Sequence, residues 1–319
     1  MKPYQLAVNM EWTSKCNARC LMCPQHLIAH PQLMTRENFA QALRRISPDR
    51  VFRTVIAGYG EPTTHPEFMH FVTQIGEHPG RFDMVSNGQQ LDEARLKHLD
   101  GRIELLVISF SSINKEVYNR VHAKLDHERV KANITLAQKT FKKTQLGISL
   151  TPMSECLDTL PETIAWLKAQ GVKLLTMSPT LYNRAEDDHV EHQQDSQRLR
   201  QLIKQYSLHS QELDFVPSIK DIAKQYVKNK FKCIPRNSDL FISSSGEYLY
   251  CYNNITHQHA IGHINDLSID EVLAQREKMV LRPELCNDCN MKQRYQLKEV
   301  AGVMGRMAIS KYNGWLKAS

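Results

Sequence analysis

Along the first half of the chain, short runs rich in Val, Ile and Leu alternate with longer stretches whose apolar residues recur at helical spacing. The runs at 6–12, 51–57, 81–86, 103–110, 145–151 and 172–178 read as strands. Consecutive apolar residues such as Leu105-Leu106-Val107-Ile108 suit strands covered on both faces. The stretches at 35–46, 66–78, 91–99, 115–121 with 127–141, and 160–170 read as helices. Six βα units in succession predict a parallel sheet covered by helices, either an open doubly wound sheet or a full or partial barrel.

In either architecture the functional side chains belong in the loops after the strands' C-terminal ends. The loop after the first strand carries Cys16-Asn17-Ala18-Arg19-Cys20-Leu21-Met22-Cys23. The second carries Gly58-Tyr59-Gly60-Glu61-Pro62, the third Ser86-Asn87-Gly88, and the fourth spans 109–114. These loops are therefore expected to converge. Three thiols at C-x3-C-x2-C spacing can bind three irons of a [4Fe-4S] cluster and leave the fourth iron for a non-protein ligand. Zinc is the alternative, and it needs a fourth donor, which His26 could supply.

The second half has a different texture. Residues 181–211 are polar, with a helical signal at Leu199, Leu202, Ile203 and Tyr206, and read as a connector. A further helix is expected near 218–230. Residues 240–243 and 247–251 read as a β-hairpin turning at Gly246, and 264–279 as a helix with Ser268 as N-cap and acidic residues in its first turn. Cys233, Cys251, Cys286 and Cys289 frame this region. Beyond it, Leu297, Val300, Met304 and Met307 form an apolar stripe suited to packing. The expected organisation is a barrel over 1–185, a helical connector over 186–230, a small α+β domain over 231–290, and a basic tail over 291–319.

Composition narrows the class. With 319 residues, 41% of them hydrophobic, the chain can bury a large core. No segment reaches eighteen uninterrupted apolar residues and no apolar leader follows Met1, so a soluble cytoplasmic enzyme is expected, without membrane association. Seven of the eight cysteines fall in the two sets above, which in a reducing compartment points to metal or redox chemistry. Cys156 is left over and reads as a small buried hydrophobe. Of the formal charge of +7, the tail from Met291 onward supplies +5, from six Lys or Arg against Glu299. That pattern suits a solvated helix face, or the docking of an acidic partner.

The ordered set of C-x3-C-x2-C, Gly-x-Gly-Glu-Pro and Ser-Asn-Gly on a βα pattern resembles the radical S-adenosylmethionine superfamily, whose partial (β/α)6 barrel of the TIM type would cover 6–178. The resemblance implies that Cys16, Cys20 and Cys23 hold a catalytic [4Fe-4S] cluster and that S-adenosylmethionine chelates its open iron. Met22 would shield the cluster. Gly58, Gly60, Glu61 and Pro62 would hold the methionine amine. Tyr59 stands where many relatives have glycine. Ser86, Asn87 and Ser109 would face the ribose or carboxylate, and Arg129 would bind the carboxylate.

The second half is similar to the single-cluster twitch relatives of SPASM domains. There Cys233, Cys251, Cys286 and Cys289 would hold an auxiliary [4Fe-4S] cluster, and residues 261–272 match the strand-to-helix passage of those domains. The activity implied is reductive cleavage to a 5′-deoxyadenosyl radical and abstraction of a substrate hydrogen atom, drawing on a flavodoxin- or ferredoxin-type donor. A net oxidation of a small molecule, with the auxiliary cluster taking the electron, is the reading adopted. Modification of a peptide or protein side chain is the alternative within the superfamily. A zinc-ribbon nucleic-acid binder is the alternative outside it; the tail lacks an aromatic stacking pattern, and no nucleic-acid partner is expected. Thr63, His65, Ser111, Ser112, Glu155, Tyr182 and Arg184 are polar residues placed to meet substrate, and none is singled out as a catalytic base.

Overall fold

The computed structural model describes residues 5–151, 153–177, 196–209, 239–280 and 282–286. Its centre is the first strand, β1 (Leu6–Met10), buried along its whole length because it has a parallel neighbour on each side. Next come β2 (Arg19–Cys20), α1 (Arg36–Arg45), β3 (Val51–Ile56), α2 (Phe68–Glu77), β4 (Phe82–Ser86), α3 (Glu93–Leu99) and β5 (Leu105–Ser109). The first half is completed by α4 (Lys115–Val121), β6 (His122–Ala123), α5 (His127–Thr140), β7 (Gln145–Leu150), α6 (Ser154–Leu157), α7 (Leu160–Ala169) and β8 (Leu174–Met177). The six expected strands are all present, and they lie side by side in chain order, β1-β3-β4-β5-β7-β8, all parallel. Short polar side chains start the helices: Thr35, Asp92, Asn114 and Asp126 each accept a backbone N–H from the first turn.

One face of the strands packs on the helices. Leu6, Val8, Met10 and Trp12 form a continuous core with Phe39 of α1 and Phe68, Phe71 and Val72 of α2. Trp12 meets Phe71 edge-on at 5.4 Å between centroids, and Phe71 stacks on Phe39 at 3.9 Å. This aromatic group lies directly beneath the cysteine loop and fixes the end of β1.

After α8 (Ser196–Gln205), which carries the expected helical signal, the chain enters β9 (Asp239–Ile242), β10 (Glu247–Leu249) and β11 (Ala260–His263). The expected hairpin is the antiparallel pair β9 and β10, with Gly246 at φ +88° in the turn, a left-handed conformation that favours glycine. α9 (Ile269–Lys278) begins at Ser268 with a full capping box to Glu271, and α10 (Pro283–Cys286) follows. These strands do not form a sheet of their own. β9 pairs parallel to β1, so one nine-stranded sheet runs β11-β10-β9-β1-β3-β4-β5-β7-β8. Cys233, Cys289, Tyr182, Arg184, the helix near 218–230 and the basic tail lie outside the described residues.

The junction of the two halves is polar and buried. Asn9 of β1 donates to Asp239 of β9 at 2.6 Å, and burial pushes the Asp239 carboxyl up to about 8 against the opposing pull of the Arg276 guanidinium. In the unfolded chain Asp239 ionises near its ordinary value. Its proton is then retained only in the folded state between about pH 4 and 8, so this group lowers stability as pH rises through that window. An Asp239→Asn protein is expected to unfold with a flatter pH dependence between pH 5 and 8 than the natural chain. Denaturant midpoints across that range measure the difference, and equal slopes would refute it.

Candidate active site

The cysteine loop is held from three directions. On the first side, β2 lies inside the motif and pairs antiparallel with β6, Arg19 opposite Ala123 and Cys20 opposite His122. On the second, Thr13 forms a bridge to Leu33, and Met34 N donates to Trp12 O at 2.9 Å. On the third, Glu61 N donates to Lys15 O at 2.9 Å, which brings the glycine-rich loop underneath.

Gly60 explains how close that approach is. A methyl group on it would stand 2.2 Å from Thr13 O and 2.5 Å from Lys15 O, both backbone atoms that cannot swing aside. A Cβ on Gly58 would meet the Glu11 side chain at 2.5 Å. The two glycines therefore make room for the cysteine loop and for Glu11. A Gly60→Ala protein is expected to lose about 3 kcal/mol or more of stability through overpacking, read as a fall in the denaturation midpoint, and to bind less iron on reconstitution. Unchanged stability would show that the loop has slack.

Glu61 is buried and joins three loops. Its Oε1 accepts from Thr63 Oγ1 and Ser86 Oγ, both at 2.7 Å, and from Thr63 N at 3.2 Å; its Oε2 accepts from Asn87 N at 2.7 Å. Burial raises its carboxyl above the ordinary range, and the four donors oppose that shift. Oε2 keeps one acceptor site beyond Asn87 among the described residues. Pro62 starts the short 3-10 turn that follows. Asn87 reaches the other way, donating to Asn17 Oδ1 at 2.7 Å and bonding to the Cys16 sulfur. The Asn17 amide nitrogen is buried without a hydrogen-bond partner among the described residues.

The three thiols are close enough to feel one another. Burial is the main influence on Cys16, pushing its thiol up to about 11, and it drives Cys20 higher still; neighbouring thiols and the Glu61 carboxylate add to both shifts. Among the described residues no three His, Cys, Asp or Glu side chains converge on a single-ion point. Three thiols gathered in one loop suit the corners of a polynuclear cluster, in which each thiolate binds a different iron. The iron charge would stabilise the thiolates that burial disfavours. The donor set, the buried and unsatisfied Asn17 amide and the open Glu61 oxygen together fit a cluster with a polar ligand beside it.

Other expected residues are placed as follows. Gly88 and Gln89 are bonded to Asn133, and Gln89 to Asp126, so the start of α5 joins the same mouth; Arg129 is exposed there. Ser109 is half-buried at the end of β5. The hydroxyl of Ser86 bonds to Glu61 and Gly88, so it braces the loop. Thr63, His65, Ser111 and Ser112 are likewise engaged within the fold: His65 Nε2 is 3.0 Å from Met34 O, and Ser112 Oγ is 2.7 Å from Thr159 Oγ1. Met22 packs with Val121, Met153 and Cys156. Cys156 is buried, with its thiol pushed up to about 12, as expected for a small core residue. His26 is exposed, and the His122 imidazole lies 3.3 Å from the Cys20 sulfur.

Two features escaped the sequence reading. Tyr59 packs its ring on Phe241 at 5.6 Å between centroids, together with Leu249 and Ile255, and so anchors the mouth to the C-terminal hairpin. Glu11 accepts from Tyr59 N at 2.7 Å and Ser244 Oγ at 2.8 Å, linking the same two regions. A buried acid directly after an apolar strand was the available signal.

A parallel sheet whose first loop gathers three thiols, with two further loops tied to it through the Glu61 backbone and the Asn87 side chain, is the arrangement of a cluster-bearing enzyme class. The family model described as the Radical SAM superfamily matches residues 10–167, and this stretch of the chain belongs to that superfamily. A similar curated protein is the tungsten-containing aldehyde ferredoxin oxidoreductase cofactor-modifying protein of Pyrococcus furiosus, 26% identical over 180 residues, which are 54% of this chain and 51% of that protein. The chain thus matches about half the length of this relative. Among solved structures, SuiB of Streptococcus suis bound to precursor peptide SuiA matches with TM-score 0.68 at 12% identity, covering 91% of this chain and 70% of that one. Native anSMEcpe with bound AdoMet matches with TM-score 0.65 at 16% identity, covering 97% and 99%. These two likenesses concern the fold. No helix among the described residues is long and apolar enough to cross a membrane.

Proposed function

We propose that this protein is a radical S-adenosylmethionine enzyme that carries out a net oxidation of a small molecule. The reading is carried by one observation, the joining of the cysteine loop to the loops after β3 and β4 through Glu61, Asn87 and Asn17. Cys16, Cys20 and Cys23 would hold the catalytic cluster. When bound, the cluster and S-adenosylmethionine would supply the electron and the 5′-deoxyadenosyl group that removes a substrate hydrogen atom. The chain's own part is to fix the three thiols, to hold a buried carboxylate beside them, and to exclude water with Trp12, Ala18 and Tyr59.

Cys251 and Cys286, with Cys233 and Cys289, would hold the auxiliary cluster, which would accept the electron given up by the oxidised substrate. Support comes from the Tyr250 hydroxyl, which donates to Val280 O at 3.3 Å and ties the residue before Cys251 to the segment leading to Cys286. Modification of a peptide side chain is the second reading, favoured by the fold likeness to SuiB, which was solved with a precursor peptide.

Anaerobic iron and sulfide analysis tests the assignment, with about eight irons per chain expected for two cubane clusters. Dithionite with S-adenosylmethionine should then yield 5′-deoxyadenosine. Zinc with little iron would sink both readings. Oxidised small-molecule product formed without further reductant would favour the first, and a peptide altered in mass the second.

A further inference from the structure

From Cys20 a polar chain runs inward through His122, Ser111 and Thr151, three buried residues that play no part in the reading above. α4 ends at Val121 and runs directly into β6, so His122 stands opposite Cys20 across a two-residue ladder. The ladder is extended by Leu21 N donating to Val121 O at 2.9 Å. His122 Nδ1 lies 3.3 Å from Cys20 Sγ, and its Nε2 lies 2.6 Å from Ser111 Oγ, which donates to Thr151 Oγ1 at 2.5 Å. The imidazole is 1% exposed and packs against the Tyr118 ring at 4.9 Å between centroids. Backbone pairing on one side and packing on the other leave the ring little freedom to turn away from the sulfur.

A neutral imidazole carries one N–H. A free thiol can donate its own proton to Nδ1, with Nε2–H facing Ser111. A metal-bound sulfur has no proton, so the contact then persists as a hydrogen bond in the tautomer with hydrogen on Nδ1. Ser111 and Thr151 suit that tautomer as well, because their hydroxyls can rotate so that Ser111 donates to Nε2 and Thr151 to Ser111. A donor aimed at a cluster thiolate favours the reduced state, which carries one more negative charge, and so raises the reduction potential.

We propose that His122 is a positioning residue that donates Nδ1–H to the Cys20 sulfur and raises the reduction potential of the cluster at the barrel mouth, with Ser111 setting the tautomer. This rests on Cys20 being a ligand of that cluster. It assigns a task to a residue outside the cysteine motif and outside the loops that face S-adenosylmethionine.

The test is potentiometry followed by electron paramagnetic resonance on the reconstituted full-length protein, using the signal that changes on adding S-adenosylmethionine to identify the cluster. For His122→Phe the ratio of reduced to oxidised cluster at a fixed potential should fall about tenfold, which is ~59 mV for a one-electron couple. His122→Gln, which keeps a donor, should recover most of that loss, and Ser111→Ala should move the potential in the same direction as His122→Phe. A wild-type potential in His122→Phe overturns the proposal. Should His122→Phe fail to retain its cluster, Ser111→Ala decides alone, and an unchanged potential there overturns it. A natural protein that shows iron but no signal responsive to S-adenosylmethionine overturns the ligand assignment of Cys20, and the tuning role with it.

Discussion

A Cys20→Ala protein is expected to produce 5′-deoxyadenosine only at the no-enzyme background, and its iron to fall by about four per chain. Cys20 is the central thiol of the three and the most constrained. Its backbone is paired to His122 and its sulfur lies against that imidazole, so a neighbouring thiol cannot move in to replace it. Two thiolates would remain for a cube that needs three. Cys156→Ala is the matching control. That thiol is buried with Val121 and Met153 outside the cysteine motif, and its loss is expected to leave iron content and cleavage unchanged. Iron analysis and product chromatography under dithionite measure both. Full iron and cleavage in Cys20→Ala would remove this cysteine from the cluster.

The second large effect is expected at Glu61. Removing its carboxylate strands the buried Asn87 N–H and the hydroxyls of Thr63 and Ser86, which now bond to it at 2.7 Å. Buried donors left unsatisfied, next to a lost charged acceptor, correspond to about 3 kcal/mol of stability. Asn87 would also be freed from the loop that holds it toward Asn17 and Cys16. Glu61→Ala is therefore expected to lower the denaturation midpoint and to weaken S-adenosylmethionine binding at least tenfold, about 1.4 kcal/mol. Glu61→Gln should not rescue it, because its amide would turn N–H groups toward donors on one side. Calorimetric titration and thermal denaturation read the two effects separately. Weakened binding at unchanged stability would mean that Glu61 acts on the ligand directly, and no change in either would remove it from the site.

The barrel was legible because burial leaves a local trace. Runs such as Leu105–Ser109 are covered on both faces and read as apolar strands, and Thr35, Asn114 and Ser268 mark helix starts through bonds made within one turn. The cysteine motif was legible for the same reason, since its three thiols lie within eight residues of one another.

What local patterning could not convey was the choice among distant partners. Glu61, Ser86 and Asn87 were read as facing a ligand, and nothing local conveyed that their side-chain or backbone groups also bond to each other across 25 and 26 residues. Gly60 was read as helping to hold the methionine amine, and its motif did not tell that the Thr13 and Lys15 backbone would lie against it. Hairpin residues 239–249 gave no sign that β9 would join β1 in parallel, with Asp239 meeting Asn9 across 230 positions. β2 and β6 are too short for any periodicity, and so His122 was not connected with Cys20. Hydrophobic period and capping chemistry record how each segment meets water and its own backbone. Which buried donor finds which acceptor is settled only when separate segments pack, because every such group must be satisfied by whatever partner the fold brings within reach.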